Sequence, residues 1–260
     1  MSPSVPIEED LRLGIEAARE AGVEVAARFG QAVEVRFKGP DQPVTEADLA
    51  ADRLLRSRLL GARPEYGWLS EETADSRERL GRARVWVVDP IDGTNAFVAA
   101  IPEFVISVAL VEEGIPVLGV VYNPVTGEMY EAARGLGARM NGEEIRVAGA
   151  GGGGERPVLL ASRWEIEAGL MAAYDERWHV RALGSTAYRM VKVAEGSGHA
   201  FLSPARKNEW DVCGAALIVS EAGGRVSRGD GEELRFNQPE PVVRGIAAWS
   251  PLVDPPSFPL

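Results

Sequence analysis

The sequence predicts a fold that mixes helices and strands in layers, and three features predict it. Two stretches near the N-terminus repeat their apolar residues at helical spacing. A block from Val85 to Pro124 is rich in β-branched residues, and beyond Val158 strands alternate with helical stretches.

The first helix is expected from about Ile7 to Phe29, with Leu11, Ile15, Ala18 and Val25 forming its apolar side. After a loop holding Gly39, Pro40 and Pro43, Thr45 stands where a hydroxyl caps a helix beginning near Glu46. Leu49, Leu54, Leu55 and Leu59 carry that helix to about Leu60. VWVVD, Val85 to Asp89, is a short buried strand, and Pro90 predicts that the chain leaves the sheet directly after Asp89. FVISVALVEEGIPVLGVVYNP gives two strands turning at Glu113–Gly114, and Asn141–Gly142 marks a second tight turn. The composition changes at GAGGGG, Gly149 to Gly154, which divides the chain into halves at 1–148 and 155–250. In the second half VLLAS, Val158 to Ser162, precedes helical stretches near Trp164–Tyr174, Thr186–Glu195 and Asp211–Ala222. The tail from Pro251, with Pro255, Pro256 and Pro259, predicts no regular structure.

Bulk properties exclude several functions. A net charge of −11 argues against a nucleic-acid polymer as partner, because neutralising a phosphate backbone takes clustered Lys and Arg. No apolar run is long enough to span a membrane. The acidic N-terminus lacks the basic start and apolar core of a secretory signal. A single cysteine, Cys213, excludes an internal disulfide and fits a reducing cytoplasm.

The chemistry concentrates in DPIDGTNAF, Asp89 to Phe97. Two close carboxylates, Asp89 and Asp92, repel one another, and burying both without a cation is costly. An oxygen-seeking divalent cation relieves that conflict, and Mg²⁺ is the usual one beside phosphate. Gly93 permits close backbone approach, and Thr94 is placed to cap a short helix whose free N–H groups suit an anion. Alone, a D-x-x-D is most often a solvated turn. Three further acidic places add weight: PVTEAD (Pro43 to Asp48), WLSEET (Trp68 to Thr73) and NEWDVCG (Asn208 to Gly214). His179 and His199 read as structural and Cys213 as a core thiol. GSTAYRM, Gly184 to Met190, is a glycine-led helix start.

In this order PVTEAD, SEE, DPIDGT and WDVCGAALIVSEAGG resemble the inositol monophosphatase family, over Val44 to Gly224. That family belongs to the lithium-sensitive, magnesium-dependent phosphatases, which also include bisphosphate nucleotidases and fructose-1,6-bisphosphatase. The resemblance implies an α+β fold of layered αβαβα type. It implies two to three Mg²⁺ ions held by Glu71, Asp89, Asp92, Asp211 and the carbonyl of Ile91. It assigns Asp48 and Thr94, with Glu71, to orienting and deprotonating the attacking water. Gly93, Thr94 and Asn95 would bind phosphate, and Gly184 and Ser185 would lie on the substrate side. The reaction it implies is in-line attack of metal-activated water on phosphorus, without a phospho-enzyme. A homodimer is a further family expectation.

The substrate positions depart from the family. An acidic residue seven positions before the WD aspartate commonly contacts inositol hydroxyls there, and here that position is Pro204. Arg206 and Lys207 follow instead, a cationic pair that either receives a second phosphate or belongs to a solvated loop, where long basic side chains mostly lie. Inositol monophosphate is the first expectation. A 3′(2′),5′-bisphosphate nucleotidase, a fructose-1,6-bisphosphatase and a regulatory binding protein without turnover are the rivals.

Overall fold

In the computed structural model, which describes residues 5–39, 42–149, 156–230, 232–256 and 258, the first apolar stripe forms α1 (Ile7–Ala26). A hairpin of β1 (Val35–Gly39) and β2 (Gln42–Thr45) leads into α2 (Glu46–Ala62). Thr45 caps α2 as expected: its side chain accepts from Ala47 N, and Asp48 bonds back to the Thr45 backbone in a reciprocal capping box.

A seven-stranded sheet follows, with its strands side by side in chain order. They are β3 (Gly67–Ser70), β4 (Arg84–Asp92), β5 (Val105–Glu112), β6 (Ile115–Asn123), β7 (Glu128–Ala133), β8 (Ala138–Met140) and β9 (Glu143–Glu144). The β3–β4 pair is parallel and the rest are antiparallel. Both predicted tight turns are present. Glu113 and Gly114 (φ 51° and 82°) join β5 to β6, and Asn141 and Gly142 (φ 51° and 86°) join β8 to β9. Two successive left-handed residues match the right-handed twist of the strands they join. A short helix, α3 (Thr94–Val98), lies between β4 and β5.

The second half supplies β10 (Val158–Ala161), α4 (Arg163–Glu167), β11 (His179–Ala182), α5 (Thr186–Ala194), β12 (Ala200–Asn208), α6 (Glu209–Glu221), β13 (Arg225–Arg228) and β14 (Val242–Trp249). Its five strands lie in the order β11-β10-β12-β14-β13. The predicted helix over Trp164–Tyr174 is broken: α4 stops at Glu167, Gly169 turns at φ 74°, and one 3₁₀ turn follows at Ala172–Tyr174. Apart from Gly149, the glycine run lies outside the described residues.

Burial alternates along the strands and builds the layers. On β4, Trp86 and Val88 pack with Ala17, Ala21, Leu55 and Leu59 of α1 and α2. Val85 and Val87 pack on the opposite face with Val191 of α5 and Val212 and Val219 of α6. Helices α5 and α6 therefore lie between the two sheets. Leu159, Ala200 and Leu202 face a third cluster with Met171, Tyr174 and Trp178. The result is the layered αβαβα arrangement. Full burial of side chains such as Leu55, Leu59 and Leu69 contributes about 1.5–3 kcal/mol each.

Pro90 does not take the chain out of the sheet. Asp89 pairs with Ser107 and Asp92 with Val105, so two residues oppose one and β4 bulges instead of ending. The missing proline N–H breaks the ladder locally, and Ile91 N donates to Asp89 Oδ1 (3.0 Å) within the bulge.

Candidate active site

The strand register brings the acidic residues together. Ser70 pairs with Val88, and Glu71 N donates to Val88 O, so Glu71 stands beside Asp89 at the ends of two parallel strands. Asp211 reaches the same place from α6. Ser107, opposite Asp89, donates from its hydroxyl to Trp210 O (3.3 Å). Beside that contact α6 lies against β6 with almost no gap: a Cβ on Gly119 would sit 2.4 Å from Gly214 O. Glycine at both positions lets the helix sink far enough to bring Asp211 to Asp89. Carboxylate oxygens of Glu71, Asp89 and Asp211 all lie within 4.8 Å of one another.

Asp92, turned by the bulge, is buried and tethered from α5: its Oδ2 accepts from Ser185 Oγ (2.6 Å) and Ala187 N (2.5 Å). Ser185 is the N-cap of α5, accepting from Tyr188 N, and holds φ 57°. Gly184 N donates to Glu103 Oε2 (2.7 Å), which also pairs with Arg163 (2.6 Å).

Thr94 is not a helix cap. Gly93, at φ 100°, takes that position, and Thr94 is the first residue of α3. The Thr94 hydroxyl instead lies 3.0 Å from Asp48 Oδ1 and 3.1 Å from Ile91 O, and its one proton serves either acceptor. Asp48 Oδ2 accepts from Thr45 N (2.8 Å) and Thr45 Oγ1 (2.6 Å), which fixes the carboxylate that faces Thr94.

Electrostatics show a site built for cations. Burial pushes the Asp89 carboxyl well above its usual range, reinforced by Glu71, Asp92 and Asp211. Burial, then Asp92 and Glu71, push Asp211 up to about 8. Asp92 and Asp48 are also raised by burial, against hydrogen bonds that favour their charged forms. Hard oxygen donors crowded at this density suit Mg²⁺, Mn²⁺ or Ca²⁺ rather than a soft metal. A bound divalent cation would relieve the repulsion that raises them.

The cluster lines a cavity of about 660 Å³ together with Ile91, Gly93, Thr94, Asn95, Gly184, Ser185, Arg189 and Lys207. Trp164, 62% exposed, stands on its lining. Arg206 is not among these residues. Successive side chains on β12 point to opposite faces, and Arg206 lines a second cavity with Thr73, Arg77 and Trp210. The expected cationic pair is thus divided between two spaces. His179 is exposed on β11, and His199 Nδ1 accepts from Val158 N (3.1 Å). Cys213 is fully buried in the core.

Two residues escaped the sequence reading. Lys38 Nζ, from the β1–β2 hairpin, bonds Glu71 Oε1 (2.6 Å) and Glu72 Oε1 (2.8 Å). Asp52 accepts from Ser70 (2.5 Å) and Thr73 (2.7 Å), gripping both flanks of Glu71–Glu72. The spacing of Asp48 and Asp52 puts both on one helix face, and was the available signal for the second.

Residues 7–252 match the model of the inositol monophosphatase family. The chain belongs to the inositol monophosphatase family. It is 37% identical over 230 residues to an inositol-1-monophosphatase of Mesorhizobium japonicum, covering 85% of this chain and 86% of that one. A histidinol-phosphatase of Chlorobaculum parvum is 32% identical over 230 residues, covering 83% and 84%. The solved structure of the Thermotoga maritima IMPase superposes with a TM-score of 0.83 at 31% identity, covering 94% of this chain and 93% of that one. Members of the inositol monophosphatase family are phosphatases, so this chain is a phosphoric monoester hydrolase. Among the described residues no helix is long and apolar enough to cross a membrane.

Proposed function

We propose that the protein is a Mg²⁺-dependent phosphatase acting on a small phosphate monoester, with inositol 1-phosphate as the first substrate to try by kinship. One observation carries this reading: the carboxylates of buried Asp89 and half-buried Glu71 and Asp211 converge beside a Thr94–Asp48 hydrogen bond at one cavity. Glu71, Asp89, Asp92, Asp211 and the Ile91 carbonyl would hold two to three Mg²⁺ ions. Bound there, the ions would neutralise the cluster, polarise phosphoryl oxygens and make water more acidic.

The chain's own residues do the rest. The Gly93, Thr94 and Asn95 backbone offers N–H groups to the phosphate, and Gly93, at φ 100°, supplies the left-handed turn that opens α3. The Thr94 hydroxyl accepts a proton from the attacking water as it donates to Asp48 Oδ1. Asp48, held by Thr45 and raised by burial, is suited to receive that proton. Ser185 and Ala187 fix Asp92, so its carboxylate does not swing as charge develops.

Phosphate release from inositol 1-phosphate, measured with Mg²⁺ and with EDTA, tests the assignment. Mg²⁺-dependent turnover that Asp89→Asn abolishes is the expected result. Equal release in EDTA would sink the metal-dependent reading. Inhibition by Li⁺ and a dimer in sedimentation velocity belong to the same proposal by kinship, and each is read directly in solution.

A further inference from the structure

The cavity is lined by three cationic side chains, Arg163, Arg189 and Lys207. Two of them are neutralised within the protein: Arg163 pairs with Glu103 at 2.6 Å and Arg189 with Glu165 at 2.8 Å. Lys38, at the opposite side of Glu71, is paired twice. Lys207 differs. Among the described residues its ammonium makes no hydrogen bond and has no carboxylate within 4.0 Å, although the residue is part-buried, near Arg189 and in the field of Asp211, Glu165 and Asp92.

The backbone explains how it comes to be there. Strand β12 is irregular between Ser203, opposite Ile246, and Arg206, opposite Arg244. Pro204 and Ala205 therefore face the single Gly245, which holds φ 63°. A bulge of this kind re-aims the side chains that follow it, and here it sends Arg206 to the neighbouring cavity and Lys207 into this one. An unpaired ammonium in a part-buried pocket is costly, and cations bound at the acidic cluster add to that cost by repulsion. A ligand anion removes it. A polyol ring has hydroxyls to offer, which an ammonium binds less strongly than it binds an ionised oxygen.

We infer that Lys207 is a specificity-determining residue that binds a second anionic group on the substrate, so that phosphate monoesters bearing a further phosphate or carboxylate are preferred. This rests on the phosphatase reading above and narrows its substrate class. The group it receives is not the scissile phosphate, which the Gly93–Asn95 backbone takes.

The test compares pairs of substrates that differ by one anion. Specificity constants are measured for adenosine 3′,5′-bisphosphate against adenosine 3′-monophosphate, and for fructose 1,6-bisphosphate against fructose 1-phosphate. The wild type should favour the doubly charged member of at least one pair by about 10- to 100-fold, the range of a hydrogen bond to a charged group. The pair that responds identifies whether the anion sits on a nucleoside or a sugar. Lys207→Met should bring that ratio close to one, and Lys207→Arg should keep part of it. Ratios near one in the wild type for both pairs overturn the inference without any variant, as does a preference that survives in Lys207→Met. Inositol 1-phosphate, run alongside, separates the two claims. Its turnover with both ratios near one defeats only the role of Lys207, whereas no release from any of the five esters defeats the phosphatase reading itself.

Discussion

Replacing Asp211 by asparagine should stabilise the metal-free protein while destroying its response to Mg²⁺. Asparagine keeps the shape and can still accept from Asn208 N, the bond at 2.9 Å that closes the capping box at the start of α6. What it removes is a carboxyl raised from the ordinary 3.8 up to about 8, first by burial and then by Asp92 and Glu71. Below about pH 4 both folded and unfolded chains hold this proton, and the charge makes no difference. Between about pH 4 and pH 8 the unfolded chain has released it and the folded chain has not, so stability falls steadily as pH rises. Above about pH 8 the full deficit is present. A gap of about four pH units at about 1.4 kcal/mol each sets a ceiling of about 6 kcal/mol. Relaxation and water entering the site reduce it, to within the range of about 1–4 kcal/mol by which neutral residues in place of buried ionic groups can stabilise a protein. For a chain of this size a gain of about 2 kcal/mol raises Tm by roughly 4–8 °C. Thermal unfolding in EDTA at pH 5 and pH 9 measures it, with the variant's advantage larger at pH 9. Added Mg²⁺ should raise the wild-type Tm and leave the variant nearly unmoved. A variant no more stable than the wild type in EDTA at pH 9 would refute the idea that these carboxylates are held together against their own repulsion.

Three other changes probe the same architecture. Thr94→Val removes the hydroxyl between Asp48 and Ile91 O and should lower kcat about 10²- to 10⁴-fold while the far-ultraviolet circular dichroism is unchanged. Asp52→Ala leaves the Ser70 and Thr73 hydroxyls without their acceptor and loosens Glu71. The Mg²⁺ concentration for half-maximal activity should rise about 10- to 100-fold, more than kcat falls. Gly119→Ala places a methyl 2.4 Å from Gly214 O, so α6 must lift. Urea unfolding should show a loss of about 1–3 kcal/mol, with weaker Mg²⁺ binding because Asp211 moves with the helix.

Local chemistry made half of the site legible in the sequence. Asp89 and Asp92 stand three apart beside a glycine and a proline, so their crowding is visible without a fold. Glu71 and Asp211 were placed only by the ordered motifs, because what unites them is strand register and a helix sunk between glycines. Lys38 left no signal and Asp52 only its helical spacing from Asp48, since their partners lie 33 and 18 residues away and exist as neighbours only after the sheet forms. The pairing of Arg206 with Lys207 failed for a simpler reason. Adjacent residues in a strand point apart, and that segment looked like a loop. The same kind of misjudgement met Pro90, whose effect was a bulge within β4, not its end. Among the helices, those with long apolar faces were found to within a turn, and the one interrupted by Gly169 was not.

The position of α6 between the two sheets has a consequence for the chain as it leaves the ribosome. The seven-stranded sheet is complete once Glu144 has emerged, but of the two helices that cover its inner face α5 begins only at Thr186 and α6 only at Glu209, about 65 residues later (209 − 144). At roughly 5–20 residues per second that is a delay of about 3–13 s. Until both helices dock, Val85, Val87, Val105, Ala109, Val111 and Val121 present an apolar surface that is not fully covered. The nascent protein therefore passes through a stage with exposed apolar surface just before Asp211, the last carboxylate of the cluster, arrives.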